Sequence, residues 1–204
     1  SGGSASSNNC VYERRQLGFQ DSDVYPSGTA ALKAQSDLPG SYACPNAVIQ
    51  PLSDDKALLK TTVDSYQPNG FTAGHLGTAW AWYVISPNWS SVWPTSAQPA
   101  GYNDGKTIKV AVLMTDGEYN THGGKNGFGS LSNSAATATC QSMKAQNIVV
   151  YTVGFKLTSG STAETTLKTC ASTQSKFFLA EDGNALKAAF KSIAEDITQL
   201  RLSK

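Results

Sequence analysis

Apolar runs alternate with amphipathic stretches through the second half of the chain. The runs carry many β-branched and aromatic residues, a composition typical of strands buried on both faces of a parallel sheet. The predicted strands are 108–114, 148–155 and 177–180. The predicted helices are about 134–145, a short helix that contains Cys170, and about 184–201, where apolar residues recur at helical spacing. Strands that alternate with helices predict an α/β domain with a mainly parallel sheet flanked by helices.

The first half of the chain carries weaker patterns. Residues 1–9 are small and polar, as in a flexible linker, and we predict that the domain spans 10–204. Proline, glycine, serine and aspartate are dense over about 18–44, which favours a long loop insertion. The other predicted elements are a strand over 46–52, a helix from a Ser53 cap to about Ser65, and a helix that opens at 70–72 and ends before Ser86.

Length and charge exclude several classes of protein. The chain has 204 residues, enough for one domain, and its formal net charge is only +1. Nucleic-acid binding is not expected, because no excess of positive charge is available to displace counterions. No run of 18 apolar residues is present, so we predict no membrane segment in this chain.

The chain has four cysteines: Cys10, Cys44, Cys140 and Cys170. They lie too far apart in sequence for the close spacing of a zinc knuckle. Three disulfide pairings are open, and we favour Cys10–Cys44 together with Cys140–Cys170. The alternative is four free, buried thiols. The abundance of glycine, serine, threonine and asparagine favours oxidised cysteines and an extracytoplasmic location.

Asp116 is the strongest candidate for a functional residue. It follows the best predicted strand, and parallel sheets bind ligands at the carboxyl ends of their strands. An aspartate there suits an oxygen-ligated divalent cation, although an aspartate that caps a turn is the alternative. Thr72 lies at a predicted helix start, where a plain helix cap is the simpler interpretation. A zinc site that joins His75 and His122 to Asp116 or Glu118 is a further interpretation, but no spacing supports it.

Several motifs resemble one protein family. Residues 112–118 resemble the strand and metal-site aspartate of von Willebrand factor A domains, and residues 70–72 resemble the threonine loop of the same fold. A longer series of motifs resembles the carboxyl-terminal region of TadG-type (tight-adherence) pilus assembly proteins. These motifs are 74–82, 85–87, 151–155, 167–172 and 200–203. The resemblance covers about 44–204.

The resemblance implies a doubly wound von Willebrand A-like fold without catalytic activity, in a membrane-anchored, periplasm-facing parent protein that assembles a Flp-type pilus. It also implies an Mg²⁺ site, to which Thr72 and Asp116 correspond. The Asp-x-Ser-x-Ser element of that site is absent, since its nearest counterpart at 21–25 does not match. In the family this element follows the first strand. We therefore expect a sheet that lacks its first strand and weak or absent Mg²⁺ binding.

The sequence thus predicts a non-enzymatic binding or assembly module in Flp-type pilus biogenesis or surface adhesion. Its partners would be proteins, either pilus assembly components or a surface ligand. The predicted binding face lies beside Thr72 and Asp116 and comprises Gly117, Glu118, His75 and His122. Two alternatives stay open. One is an extracytoplasmic metal-dependent hydrolase that uses Asp116, Glu118 and a histidine, and the other is a purely structural domain with an inactive metal site.

Overall fold

The structure is a computed structural model that describes residues 11, 13–14, 21–32, 47–67, 70–123 and 125–202. Of residue 202 only the backbone is described. The helices are α1 (Lys56–Asp64), α2 (Gly74–Ile85), α3 (Gly129–Ala145), α4 (Thr162–Cys170) and α5 (Gly183–Leu202). The strands are β1 (Val110–Thr115), β2 (Thr121–His122), β3 (Lys125–Asn126), β4 (Val149–Phe155) and β5 (Phe177–Ala180). The predicted linker at 1–9, Cys10, Cys44 and much of the predicted 18–44 insertion lie outside the described residues.

The main sheet has the strand order β1-β4-β5, and all of its strands are parallel. Thr115 at the end of β1 pairs with Gly154 in β4, and Phe155 at the end of β4 pairs with Ala180 in β5. The carboxyl ends of the strands therefore meet at one edge, which we call the carboxyl edge. The short strands β2 and β3 form a separate antiparallel pair directly after this edge.

Helices cover the sheet on both faces, because β4 is apolar on both sides. Tyr151 and Val153 of β4 pack with Ile193 of α5 on one face. The opposite face packs against α2, α3 and α4 through a cluster of buried side chains: Trp82, Ala111, Leu113, Cys140, Met143, Ile148, Val150 and Cys170. This arrangement confirms the predicted α/β, doubly wound class with a mainly parallel sheet.

A disulfide joins α3 to α4. Cys140 and Cys170 are both buried and bonded to each other, and they lie 30 residues apart in sequence. This half of the predicted pairing is confirmed. The other half, Cys10–Cys44, falls on residues that the structure does not describe.

Three local predictions are wrong. Residues 47–52 form no strand: Val48 is 72% exposed, and Pro51 has no amide hydrogen to donate to a neighbouring strand. Helix α1 begins at Lys56 because the carboxylate of Asp55, and not the hydroxyl of Ser53, accepts hydrogen bonds from the first helical amides. Helix α3 begins at Gly129, five residues before the predicted start.

Strand β1 lies at one edge of the described sheet. Among the described residues, no strand pairs with its second edge. Val112 and Met114 of β1 are 37% and 45% exposed, since α5 packs on β4 and β5. That the sheet lacks a strand at this position stays a prediction.

A group of aromatic side chains packs outside the sheet, and we call it the aromatic corner: Trp80, Tyr83, Trp89 and Trp93, with Arg14 and Asp23. The rings of Tyr83 and Trp89 stack with centroids 3.9 Å apart. The guanidinium of Arg14 lies 5.0 Å from the Tyr83 ring centroid and donates a 3.0 Å hydrogen bond to the Tyr83 hydroxyl. Polar groups from the amino-terminal segment are thus buried against rings of α2 and the loop that follows it.

Candidate functional site

Asp116 and Glu118 lie at the carboxyl edge with exposed side chains. They flank Gly117 on the turn that follows β1. The hydroxyl of Thr115 donates a 2.9 Å hydrogen bond to the Gly117 carbonyl and accepts one from the Gly117 amide at 3.3 Å. These bonds tie the turn to the buried end of β1, so both carboxylates stand on a fixed backbone.

Thr72 is half-buried and lies two residues before α2, so it does not cap the helix as predicted. Its amide donates a 2.8 Å hydrogen bond to Oδ1 of Asn120. Its carbonyl accepts hydrogen bonds from the amides of Asn120 and Thr121, at 3.0 and 3.3 Å. The Thr72 loop is therefore bound to the chain segment that follows Asp116.

A cavity of about 450 Å³ lies between the start of α2 and strand β1. Thr72, Gly74 and Thr78 line one side, and Thr115 and Tyr119 line the other. Gly74 lets the buried Tyr119 ring approach the helix, since a Cβ atom on this glycine would lie only 2.1 Å from the ring. Apolar side chains, among them Val112 and Met114, also line the cavity, so the carboxyl edge combines exposed acidic groups with a half-open cavity of mixed polarity.

The two histidines of the chain stack on each other, with ring centroids 4.9 Å apart. Glu13 joins them, and His75, His122 and Glu13 each offer a ligand atom within 4.8 Å of the others. Glu13 and His75 are buried, whereas His122 is half-buried. This group, the Glu-His-His cluster, could hold a metal ion.

Hydrogen bonds hold the Glu-His-His cluster in place. Oε1 of Glu13 contacts Nε2 of His75 and accepts a 2.7 Å hydrogen bond from the Gly123 amide. Nδ1 of His75 lies 2.7 Å from Oγ of Ser132 in α3. Burial alone would raise the pKa of the Glu13 carboxyl, but the hydrogen bonds and charge it meets at His75 and Gly123 lower it to about 2. Glu13 is therefore a carboxylate at neutral pH.

Ser132, His75 and Glu13 form a hydrogen-bonded series, and a nucleophilic triad has the same components. Ser132 is fully buried within α3. Its oxygen cannot reach a substrate in this conformation, so the series gives no support to a serine nucleophile.

The donor set at the carboxyl edge does not fit a complete Mg²⁺ site. Mg²⁺ needs near-octahedral oxygen coordination. Asp116 and Thr72 supply two side-chain oxygens, and within the described part of the chain Asp116 and Glu118 belong to no group of three metal-ligating acids, histidines or cysteines. The two histidines therefore gather around Glu13 and do not form a metal-ligating group with Asp116 or Glu118.

Sequence analysis did not identify Glu13 or Ser132 as candidate site residues. Glu13 lies 62 residues from His75 and 110 from Gly123, and no local pattern connects positions that far apart. Ser132 lies in a run of small polar residues that resembles a loop. The only signal was that the chain has two histidines, one of them at the predicted start of a helix.

The family model of the von Willebrand factor type A domain matches residues 96–192. The matched segment is a little under half of the chain. It contains the five strands of the described residues, the Cys140–Cys170 disulfide and the turn with Asp116 and Glu118. A von Willebrand factor A domain is therefore found in this part of the chain, in agreement with the fold. Such domains commonly mediate protein–protein interactions and often bind divalent metal ions, which supports a general binding or adhesion module.

No curated protein matches the chain. The TadG-type and pilus context accordingly stays a prediction. None of the described helices combines the length and the apolar character needed to cross a membrane.

Proposed function

We propose that this domain is a non-enzymatic module that binds a protein partner at the carboxyl edge. The recognition surface comprises Asp116, Gly117 and Glu118 together with the Thr72 loop and the adjoining cavity. The observation that carries this proposal is the pair of exposed carboxylates on a turn fixed by Thr115. Exposed charges on a rigid backbone bind a partner at little cost in ordering.

Two observations support a role outside the cytoplasm, in Flp-type pilus assembly or surface adhesion. The motifs over about 44–204 resemble TadG-type proteins, and the Cys140–Cys170 disulfide is compatible with an oxidising compartment. The partner would be a pilus assembly component or a surface ligand. A longer, membrane-anchored parent would present the domain to it.

Tight binding of a metal ion at the carboxyl edge would depend on that partner. Asp116 would contact the ion, through water or directly, and a carboxylate of the partner would complete the oxygen shell. We therefore expect only weak Mg²⁺ or Mn²⁺ binding by the isolated chain. Calorimetric titration of the chain and of Asp116→Ala measures this directly.

Surface attachment of the source bacterium tests the proposal. The parent protein with Asp116→Ala or Glu118→Ala should reach normal levels but lose attachment and pilus display. Glu181→Ala is the matched control, because Glu181 is also exposed and follows β5 at the same edge. Normal attachment of both variants at the β1 turn would contradict the proposal.

Hydrolase activity is the competing outcome. The purified chain, supplied with Mn²⁺ or Zn²⁺, should hydrolyse no chromogenic ester, phosphate ester or peptide in a manner that depends on Asp116. Turnover that Asp116→Ala abolishes would favour an enzyme and overturn the non-enzymatic assignment.

A further inference from the structure

The Glu-His-His cluster gathers ligand atoms from three separate parts of the chain. Glu13 comes from the amino-terminal segment, His75 from the first turn of α2, and His122 from the end of β2. All three ligand atoms lie within 4.8 Å of one another. In a tetrahedral zinc site the ligand atoms stand ~3.4 Å apart, given bond lengths of ~2.0–2.2 Å. Small side-chain movements would close the cluster around an ion.

We propose that Glu13, His75 and His122 form a binding site for a transition-metal ion of the zinc class. The site is separate from the carboxyl edge, and the inference does not depend on the proposed function. A bound ion would tie the amino-terminal segment to α2 and to the β2–β3 pair.

The donor atoms select the class of metal. Two imidazole nitrogens and one carboxylate oxygen suit Zn²⁺ and its neighbours, whereas Mg²⁺ and Ca²⁺ prefer sites made of oxygen. Zn²⁺ also accepts three protein ligands with a fourth position left to water. His122 is the half-buried member of the cluster, so it is the side from which an ion or water can approach.

Outer hydrogen bonds orient the ligands as they do in metal sites. Nδ1 of His75 lies 2.7 Å from Oγ of Ser132, which leaves Nε2 directed at Glu13. A metal on Nε2 would place the ring proton on Nδ1, where it donates to Ser132. The Gly123 amide orients the Glu13 carboxylate in the same manner. Such partners fix the ring orientation and the tautomer of a metal-bound histidine.

One carboxylate oxygen of the cluster has no hydrogen-bond partner among the described residues. Oε2 of Glu13 is buried, although a buried carboxylate oxygen normally accepts several bonds. An isolated His75–Glu13 pair leaves this oxygen unsatisfied. A cation bound between the carboxylate and the two imidazoles satisfies it.

Metal titration of the untagged protein tests the site, because a polyhistidine tag binds the same ions. The protein is stripped with a chelator and titrated with Zn²⁺, Co²⁺ and Mg²⁺. We expect one equivalent of Zn²⁺ to bind in the micromolar range or tighter, and Co²⁺ to give the absorption bands of a site with nitrogen and oxygen ligands. Zn²⁺ should raise the melting temperature, since an ion that binds only the folded state stabilises it, and Mg²⁺ should not.

Variants assign the ligands. Glu13→Gln and His122→Asn should each weaken Zn²⁺ binding by more than the ~10–100-fold that outer partners contribute, and Ser132→Ala should weaken it within that range. Asp116→Asn is the control and should bind Zn²⁺ like the parent chain. This control also separates the present site from the carboxyl edge.

Two results would overturn the inference. The first is a chain that binds no Zn²⁺ or Co²⁺, which would leave a plain His75–Glu13 hydrogen bond. The second is Zn²⁺ binding that survives unchanged in both Glu13→Gln and His122→Asn. His122 is half-buried, so its variant should fold. The Co²⁺ spectrum of the parent chain shows, without any variant, whether nitrogen and oxygen ligands bind the ion.

Discussion

The sheet and the aromatic corner bury their side chains by different means. In the sheet, strands β1, β4 and β5 satisfy one another's backbone groups, and Met143, Ile148 and Val150 pack beneath them with almost no exposure. In the aromatic corner, charged side chains are buried together with rings. Arg14 and Asp23 are only 5% and 8% exposed, and each is held by hydrogen bonds.

This difference predicts how each region fails. An apolar contact in the sheet can be weakened in steps, because its contribution follows the area that it buries. The stability that a buried charge contributes in the aromatic corner cannot be reduced in steps. Removing one partner leaves the other groups buried and unsatisfied. The largest cost in each region should therefore come from a different kind of substitution.

The disulfide is the most sensitive point of the sheet region. Replacing both Cys140 and Cys170 with alanine should lower the free energy of unfolding by about 3–4 kcal/mol, the loop-closure entropy of a bridge of this span. The bridge spans 30 residues and joins α3 to α4. Chemical denaturation measures the change, and near-ultraviolet circular dichroism should show the aromatic corner still packed in water. If the near-ultraviolet signal of the aromatic corner disappears when the disulfide is removed, the stability of the corner depends on the sheet region.

In the aromatic corner, Asp23 is the residue whose replacement should cost the most stability. Its Oδ2 accepts hydrogen bonds from the hydroxyls of Ser86 and Tyr102, both at 2.5 Å, and from the side-chain amide of Asn88 at 3.0 Å. Burial raises the pKa of the Tyr102 hydroxyl, and the bond to Asp23 raises it further, so this donor stays protonated at neutral pH. Asp23→Ala should cost about 3 kcal/mol, because it removes three hydrogen bonds from a buried carboxylate and leaves the buried Ser86 hydroxyl and the half-buried Tyr102 hydroxyl without this acceptor.

Asp21→Ala is the control for the Asp23 experiment. Asp21 makes none of the three bonds to Ser86, Tyr102 and Asn88, and its replacement should change the free energy of unfolding by no more than about 0.5 kcal/mol. Equal effects of the two variants in urea titrations would refute the idea that specific polar bonds hold this corner.

The sheet region was largely predictable from sequence, and the aromatic corner was not. Continuous apolar runs marked the strands, and β1, β4 and β5 were found close to their true positions, although only β4 is buried on both faces. A heptad-like apolar repeat identified α5. The run at 46–52 had a similar composition, but its described part, 47–52, pairs with no strand among the described residues, and composition alone cannot supply a partner.

The candidate sites divide in the same way. Asp116 was identified as a candidate because strand ends have a local signature, an apolar run followed by aspartate and glycine, and it does lie directly after β1. The Glu-His-His cluster depends on contacts between segments 62 and 110 residues apart, and these follow from tertiary packing alone. Glu13 is surrounded by polar and aromatic residues that carry no periodic pattern, so nothing local marks it as a ligand.

Helix α2 joins the two regions, since Trp82 packs on the sheet side and Tyr83 in the aromatic corner. Gly74→Ala should cost about 2 kcal/mol, because the new Cβ would collide with the buried Tyr119 ring and overpacking carries penalties of this order. The shifted ring would also disturb the carboxyl edge. Gly77→Ala in the same helix meets no atom within 4 Å and should instead stabilise the domain by about 0.5–1 kcal/mol. Thermal and urea unfolding of the two variants would distinguish the effect of the collision from the effect of helix propensity. A stabilised Gly74→Ala protein would show that α2 and Tyr119 do not pack as closely as described.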